Sequence, residues 1–355
     1  MSLLRKFRLA APLGLGMALF SPVTAQQSAV PVVQPVPAAA DSADGFQSYL
    51  QLVGAKARGQ GVSQRAVDSI IGGLTYNPKV VSLDRSQPGS TPGSPPAFWP
   101  YYARHIGAER INRGRTALAA NTDLVGRMEA QYGVPAKMII AIWGKETFYG
   151  RIMGDFDLAR SLATLAYEGR RRELFEGELI ALMKMADRGV PRSRMLGSWA
   201  GAFGNPQFLP SVYLRVARDG DGDGDADIWN SRADTFASIA NYFKDAGWRQ
   251  GEPWGVRVDA PAGLDRKLLT TRLDAPSCPR VHVRHSVWKT VAEWRALGVV
   301  PRAPIADSTM AVLFEPDGAG NGSFLLTGNY RVILHYNCSN YYALSVGLLA
   351  DEIAR

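Results

Sequence analysis

Apolar residues recur at intervals of three and four through most of positions 44–248, which is the spacing of amphipathic helices. The spacing predicts two short helices over 46–74, one long helix over 106–131, one or two helices over 158–187, and another over 233–247. Gly133 is placed to end the long helix, and Pro135 stands where the next helix prefers to begin. Residues 86–97 are rich in Pro, Gly and Ser, which indicates an irregular connection.

The pattern changes over 249–334, where short β-branched runs are separated by Gly and Pro. These runs predict strands at 256–258, 281–283, 310–314, 323–326 and 330–334. A helical insert over 287–297 interrupts them, and helical spacing returns over 339–354. We therefore predict a mainly α (α+β) chain with a small β-rich subdomain, followed by a C-terminal helix over 335–355 that returns to the α body.

The N-terminal residues have the pattern of an export signal. Basic residues precede a short apolar run over 9–20, and a small-residue cleavage pattern ends at Ala25. We interpret residues 1–25 as a signal peptide, the alternative being an amphipathic first helix, and residues 26–43 as a Pro/Ala-rich linker. No cysteine lies near the cleavage pattern to carry a lipid anchor, so we expect a periplasmic protein.

Composition narrows the classes of protein that remain. With 46% hydrophobic and 20% charged residues the chain is globular, and no apolar stretch is long enough to span a membrane. The net charge of +8 falls once the signal peptide is removed, which favours an anionic wall polymer over nucleic acid. Two cysteines exclude a disulfide scaffold and an iron–sulfur protein. Cys278 and Cys338 could pair in an oxidising compartment, or both could be buried and free.

One carboxylate continues an apolar stripe. Met138, Ile139, Ile142 and Trp143 share a helical face, and Glu146 follows on the same face. Apolar surroundings raise the pKa of a carboxyl group, and a carboxyl that stays protonated near neutral pH can act as a general acid on a glycosidic oxygen. The alternative is a glutamate at the edge of the stripe that reaches solvent.

Residues 219–230 form an acidic loop that resembles a calcium-binding loop. Carboxylates occupy its first, third and fifth positions, and Gly224 occupies the sixth, where the chain turns sharply. Asn230 stands where a bidentate glutamate is expected, so a later carboxylate would have to close the site. The candidate ligands are Asp219, Asp221, Asp223, Asp225 through its backbone carbonyl, and Asp234. We expect a structural Ca²⁺ and no cofactor for catalysis, the alternative being a solvated acidic turn.

Four segments in order carry a resemblance to a known family: ETFYGR at 146–151, GSWAGAFGNPQFLPS at 197–211, the acidic segment 219–243, and HYNCSNYYA at 335–343. Together they resemble the membrane-bound lytic murein transglycosylase B family, glycoside hydrolase family 103. The resemblance runs from about Phe46 to the C-terminus, with gaps in the β-rich region. It implies a lysozyme-like α core with an extra N-terminal α domain, both within 44–248, and a small β domain.

The resemblance also implies an activity. Members of the family cleave the bond between N-acetylmuramic acid (MurNAc) and N-acetylglucosamine (GlcNAc) in peptidoglycan and leave a 1,6-anhydro ring. By this resemblance Glu146 acts first as acid and then as base for the sugar's own 6-hydroxyl. No second catalytic carboxylate is required, unlike in most glycosidases.

Further residues are assigned by their positions in the matching segments. The residues implied to contact substrate are Ser198, Gln207, Tyr242, Tyr336, Asn337, Tyr342 and Arg171. Considered singly, the tyrosines could be core residues and the polar residues helix caps. Arg171 lies in a basic stretch that resembles one near the family's groove and could meet the anionic stem peptide, the alternative being a solvated face. The segment departs from expectation at Asn205-Pro206, which predicts a stiffer loop. We also hypothesise that a disulfide at Cys338 fixes the β subdomain to the groove.

Three other functions remain open at this point. A lysozyme-type hydrolase would add water, a non-catalytic wall-binding protein would keep only the groove, and an exported calcium-binding protein would have an unrelated activity. We expect peptidoglycan glycan strands as the partner, with proteins of wall synthesis or division as further candidates. We expect a monomer that binds no nucleic acid.

Overall fold

A computed structural model describes residues 43–87, 97–267, 269–270 and 278–355. The predicted signal peptide lies outside these residues, and so do the predicted linker up to residue 42 and most of the connection 86–97. The described residues form fifteen α-helices and a small antiparallel sheet, which confirms the mainly α fold. No helix in this part of the chain is both long enough and apolar enough to cross a membrane.

The helices in chain order are α1 Ala43–Gly59, α2 Gln64–Ile71, α3 Pro78–Arg85, α4 Phe98–His105, α5 Ala108–Ala120, α6 Thr122–Tyr132, α7 Ala136–Thr147, α8 Leu158–Glu168, α9 Arg172–Asp187, α10 Pro210–Val216, α11 Arg232–Asp245, α12 Pro279–His282, α13 Val291–Ala296, α14 Gly328–Tyr336 and α15 Asn340–Ile353. Helices α1 to α3 pack with α8 and α9, and α10 packs on α9. Gly169, at a φ of 97°, separates α8 from α9 and so makes two helices of the predicted region 158–187.

Helix α7 lies at the centre of the α core. It contacts α5, α6, α11 and α15, and its residues from Met138 to Gly144 are all buried. A helix that is apolar all round is an interior helix, so the single apolar face that the sequence indicated was only part of its buried surface. Gly133 ends α6 in the left-handed conformation, as predicted, and Pro135 precedes the first turn of α7.

The predicted single helix over 106–131 is wrong. The chain forms α5 and α6, with a break at Asn121 between them. The Asn121 side-chain amide donates to the Ala117 carbonyl at 2.7 Å, and its backbone leaves the helical region at a φ of −126°. An asparagine that bonds the preceding turn competes with the helix ladder, which explains the break.

The small sheet contains five antiparallel strands in the order β4-β6-β7-β3-β5, while β1 and β2 form a separate pair. The strands are β1 Phe156–Asp157, β2 Leu196–Gly197, β3 Gly255–Asp259, β4 Lys289–Thr290, β5 Val300–Pro301, β6 Met310–Phe314 and β7 Ser323–Leu326. Strands predicted at 256–258, 310–314 and 323–326 are confirmed. The helical insert is α13, begun by a capping box between Thr290 and Glu293.

Two predicted strands are helices instead. Residues 281–283 fall in or directly after α12, which has Pro279 at its first position, and residues 330–334 lie within α14. The Thr327 hydroxyl accepts from the Asn329 backbone N–H at 3.2 Å and caps α14. Proline and a side-chain cap begin a helix efficiently, and here they override the strand preference of β-branched residues.

Cys278 and Cys338 form a disulfide with their Cα atoms 5.3 Å apart. The bond joins the residue before α12 to the short connection between α14 and α15. The predicted C-terminal segment 335–355 contains the end of α14 and the whole of α15, and α15 packs on α4, α5, α7 and α14. The disulfide is consistent with an oxidising compartment.

Candidate active site

Glu146 lies in the last turn of α7 and is half-buried. Its carboxylate accepts a hydrogen bond from the hydroxyl of Tyr342, a buried residue of α15. Arg110 on α5 donates to the Gly144 carbonyl and, at 3.2 Å, to the Lys145 carbonyl. The Gly144 carbonyl also accepts from the Phe148 backbone N–H at 3.2 Å. The bonds from Arg110 add to the hydrogen bonding of the last carbonyls of α7, so they help to hold the turn that carries Glu146.

The environment of Glu146 changes its acidity. Burial raises the pKa of its carboxyl to about 7, against the Tyr342 hydrogen bond and the positive charges of Lys145 and Arg110, which lower it. Burial, together with Arg110, lowers the pKa of Lys145 to about 8. The raised pKa agrees with the apolar pattern around this position, which predicted a general acid. A carboxyl with a pKa near neutrality can both give and take a proton, as the acid-then-base role implied by the family resemblance requires.

The three predicted tyrosines form a wall beside Glu146. The rings of Tyr342 and Tyr336 are nearly parallel with centroids 6.5 Å apart, and the centroid of Tyr242 lies 4.6 Å from that of Tyr336. Phe208 stacks on Tyr242 at 5.7 Å, and the Tyr336 hydroxyl donates to the Pro206 carbonyl at 2.6 Å. The wall is therefore continuous with the loop 197–211, and its ring faces are of the type that packs against sugar rings.

Ser198 and Gln207 shape that loop. The Ser198 hydroxyl accepts from the Ala202 N–H at 3.0 Å. Gln207 has a φ of 52°, and its side-chain amide donates to the carbonyls of Met153 at 3.1 Å and Gly204 at 3.0 Å. Gln207 therefore fastens the segment after α7 to the loop. The sugar contacts of Ser198 and Gln207 remain predictions.

Asn337 and Arg171 lie in different surroundings. Asn337 is exposed at the end of α14, directly after Tyr336 of the wall, so the structure brings it to the same region. Arg171 pairs at 2.5 Å with the buried carboxylate of Asp84, and its guanidinium lies 4.7 Å from the Phe175 ring centroid. These contacts join α3 to the start of α9. The guanidinium neutralises a buried charge there, and its contact with the stem peptide remains a prediction.

Asn205 is a site residue that the sequence did not assign. Its buried side-chain carbonyl accepts from Trp143 Nε1 at 2.7 Å, and its amide donates to the carbonyls of Ile228 at 3.2 Å and Trp229 at 2.9 Å. The Thr147 hydroxyl donates to its backbone carbonyl at 3.3 Å. Asn205 thus fixes α7 on both sides of Glu146 and joins it to the end of the acidic loop. In the sequence, the position of Asn205 directly before Pro206 predicted only a stiff loop.

The turn after α7 has an unusual backbone. Phe148, Tyr149 and Gly150 have φ values of 54°, 62° and 82°, a conformation that non-glycine residues seldom adopt. The turn folds the Tyr149 ring against α7, where a Cβ at Gly144 would lie 2.4 Å from the ring. The Tyr149 hydroxyl donates to the Arg110 carbonyl at 2.7 Å. Glycine is therefore required one turn before the end of α7.

Asp219, Asp221 and Asp223 present carboxylate oxygens within 4.8 Å of one another. All three side chains are exposed, and Gly224 at the sixth position has a φ of 94°. The Asp219 carboxylate accepts from the backbone N–H groups of Gly222 at 2.6 Å and Gly224 at 2.8 Å, and these bonds lower its pKa. Charged oxygen donors in this arrangement fit Ca²⁺.

The other two predicted ligands have different roles in the structure. The Asp225 carboxylate pairs with Arg194. The backbone carbonyl of Asp225, which is the atom predicted to bind the metal, is not used in this ion pair. Asp234 is fully buried, and its two oxygens accept from the N–H groups of Gly220 at 2.8 Å and Asp227 at 2.7 Å. It closes the loop through backbone hydrogen bonds, because the loop folds back over the first turn of α11. It is not among the three grouped carboxylates.

Comparisons with known proteins agree with this geometry. Residues 45–351 match the family described as "Transglycosylase SLT domain". The chain is 30% identical over 303 residues to membrane-bound lytic murein transglycosylase B of Escherichia coli strain K12, a match that covers 83% of this chain and 79% of the relative.

Solved structures are also similar. SltB3 from Pseudomonas aeruginosa in complex with NAG-anhNAM-pentapeptide has a TM-score of 0.77 and 39% identity, over 87% of this chain and 79% of that chain. Escherichia coli Slt35 in complex with calcium has a TM-score of 0.69 and 28% identity, over 87% of this chain and 92% of that one. The chain therefore belongs to the transglycosylase SLT domain family, among the lytic transglycosylases that resemble membrane-bound lytic murein transglycosylase B.

Proposed function

We propose that this lytic transglycosylase cleaves the β-1,4 bond between MurNAc and GlcNAc without water, and that Glu146 is its acid and its base. The observation that supports this role is a single half-buried carboxyl with a pKa of about 7, held against a wall of tyrosines. SltB3, which is 39% identical to this chain, was solved in complex with NAG-anhNAM-pentapeptide, and that ligand carries the anhydro sugar that such a reaction would form.

In the first step, protonated Glu146 donates its proton to the glycosidic oxygen as the bond from that oxygen to C1 of MurNAc breaks. GlcNAc leaves with a free hydroxyl, and C1 carries the positive charge. The Tyr342 hydroxyl donates to the Glu146 carboxylate as its negative charge forms. Hydrogen bonds to a developing anion lower the energy of the transition state.

In the second step, the 6-hydroxyl of the same MurNAc attacks C1 and closes the 1,6-anhydro ring. Its proton passes to the Glu146 carboxylate, which returns to its starting form, so one carboxyl serves both steps. The tyrosine wall, together with Ser198, Gln207 and Asn337, is proposed to hold the sugars while this exchange takes place.

Mass spectrometry of the sugars released from purified peptidoglycan tests the proposal. We expect fragments that are lighter by one water than the products of a lysozyme digested in parallel. Fragments with the added water would overturn the non-hydrolytic mechanism and identify a hydrolase.

The pH dependence of turnover follows from the raised pKa of Glu146. Since the first step needs the protonated carboxyl of the free enzyme, kcat/KM should be level below about pH 7 and fall about tenfold per unit well above it. Initial rates measured from pH 5 to pH 9 would show this fall. A rate that rises through pH 7 would contradict an acid role for Glu146.

We also propose that Asp219, Asp221 and Asp223, with the Asp225 backbone carbonyl, hold a structural Ca²⁺. The loop ends on Ile228 and Trp229, which Asn205 binds, so the ion would stabilise the support of α7 and take no part in the reaction.

Calcium at a hundred times its Kd should therefore stabilise the protein by about 2.7 kcal/mol relative to chelator. Thermal unfolding with Ca²⁺ and with chelator measures this difference. Asp221→Asn should reduce the shift, while Asp123→Asn on the exposed face of α6 should retain it. Equal shifts in the two variants would place the ion elsewhere.

The chain is further proposed to act in the periplasm on glycan strands, as a monomer. The disulfide between Cys278 and Cys338 supports an oxidising compartment. Size-exclusion chromatography with light scattering tests the monomer, and fractionation of cells tests the compartment.

A further inference from the structure

A pocket of about 510 Å³ lies between α5 and the two ends of the Glu146 turn. Its floor includes Trp143, one helical turn before Glu146, and Tyr149, three residues after it. Residues of the tyrosine wall and of the loop 197–211 are not among those that line it. The pocket is therefore separate from the groove to which the proposed reaction is assigned, and it is lined by residues of α7 and its following turn on either side of Glu146 in the sequence.

The charged residues of this pocket are mostly cationic. Arg113, Arg151 and Arg232 line it together with one carboxylate, that of Glu109, which pairs with Arg113 at 2.9 Å. Within the described part of the chain, Arg151 and Arg232 have no carboxylate within salt-bridge distance. Two positive charges are thus left without compensation on one concave surface, which favours an anionic ligand.

Aromatic rings hold these guanidinium groups in place. Arg232 lies 5.9 Å from the Trp143 ring centroid, and Arg113 and Arg151 lie 5.4 Å and 5.8 Å from that of Phe148. Phe148 reaches the arginines because its backbone adopts the left-handed conformation. A guanidinium that lies against an aromatic ring is restricted in its orientation. Its planar set of N–H groups can then pair with both oxygens of a carboxylate.

We propose that this pocket binds a carboxylate of the acidic stem peptide attached to the MurNAc whose bond is cleaved. The inference rests on the proposed function, which places that sugar at Glu146. Residues three apart on a helix have Cβ atoms about 5–6 Å apart, so an extended peptide of a few residues reaches from Glu146 to Trp143. The aromatic floor would contact the aliphatic parts of the peptide.

The test compares two substrates with the full mature chain. Peptidoglycan with its stem peptides, and the same glycan stripped of them by an amidase, are digested by the wild type and by the double variant Arg151→Gln/Arg232→Gln. We expect the preference for the peptide-bearing glycan, measured as the ratio of the two kcat/KM values, to fall about fivefold to tenfold. The loss should reside in KM for the peptide-bearing glycan and should diminish at high salt.

Two further variants keep the result interpretable. Arg151→Lys/Arg232→Lys retains the charge and should keep most of the preference, while Arg65→Gln on the exposed side of α2 should keep all of it. An unchanged ratio in the glutamine variant, or an equal change in all three variants, would overturn the proposal. Failure of the proposed function is distinguishable, because the wild type would then release no anhydro sugar from either glycan.

Discussion

Glu146→Gln should reduce turnover on peptidoglycan by about a hundredfold to ten-thousandfold, the contribution of a positioned general acid. Glutamine keeps the shape of the side chain and can accept from the Tyr342 hydroxyl, so the fold should be retained. It has no proton to give to the glycosidic oxygen and cannot take one from the 6-hydroxyl. Both proposed steps are therefore affected, and KM should change little.

The measurement is the rate of release of anhydro fragments by the pure variant. Glu173→Gln, an exposed glutamate in the first turn of α9, is the matched control and should retain the wild-type rate. Circular dichroism and thermal unfolding would show that both variants are folded. Undiminished release by Glu146→Gln would remove the acid role from this residue.

Tyr342→Phe should lower kcat about tenfold to a hundredfold, since a hydrogen bond to a charged group contributes about 1.5–3 kcal/mol. The phenylalanine ring can keep the packing on Tyr336 while the donor to Glu146 is lost. Because this hydrogen bond lowers the pKa of Glu146, its removal should raise that pKa. The falling limb of the pH profile should therefore move to higher pH.

Measuring both kcat and the pH profile of Tyr342→Phe distinguishes an effect of the hydroxyl on Glu146 from a simple loss of packing. Tyr167→Phe is the matched control, because the buried Tyr167 hydroxyl has no hydrogen-bond partner among the residues that the structure describes, and the pH profile of this variant should be unchanged. A Tyr342→Phe enzyme with reduced kcat and an unmoved limb would show that the hydroxyl does not act on the acidity of Glu146.

Patterns in short stretches of sequence predicted the parts of the structure that depend on residues close together in the chain. Apolar spacing predicted α7 and placed Glu146 on its buried face, and three β-branched runs became strands of the sheet. The acidic loop placed Asp219, Asp221 and Asp223 together, because ligands at alternate positions of a tight loop are brought close by the loop itself. The other predicted site residues came from resemblance to a family.

Features set by distant contacts could not be found in this way. Residues 330–334 have strand composition, yet the Thr327 cap and burial in the α core make them helical. Asp234 was predicted as a metal ligand, but the structure groups only Asp219, Asp221 and Asp223, and it places Asp234 fully buried where it binds two backbone N–H groups of the loop. Asn205 gave no signal as a support of Glu146, since its partners lie as much as 62 positions away.

The position of Tyr342 in the chain also bears on the timing of activity. Its hydroxyl reaches Glu146 across 196 residues, and α15, which carries it, covers α7. A ribosome makes Glu146 well before Tyr342, and a nascent chain lacks the helix that buries the carboxyl and supplies its donor. Burial raises the pKa of the Glu146 carboxyl, so the packing of α15 on α7 is expected to help keep that carboxyl protonated near neutral pH. The general acid is therefore expected to depend on the C-terminal helix, and loss of α15 should remove that burial together with the hydrogen bond from Tyr342.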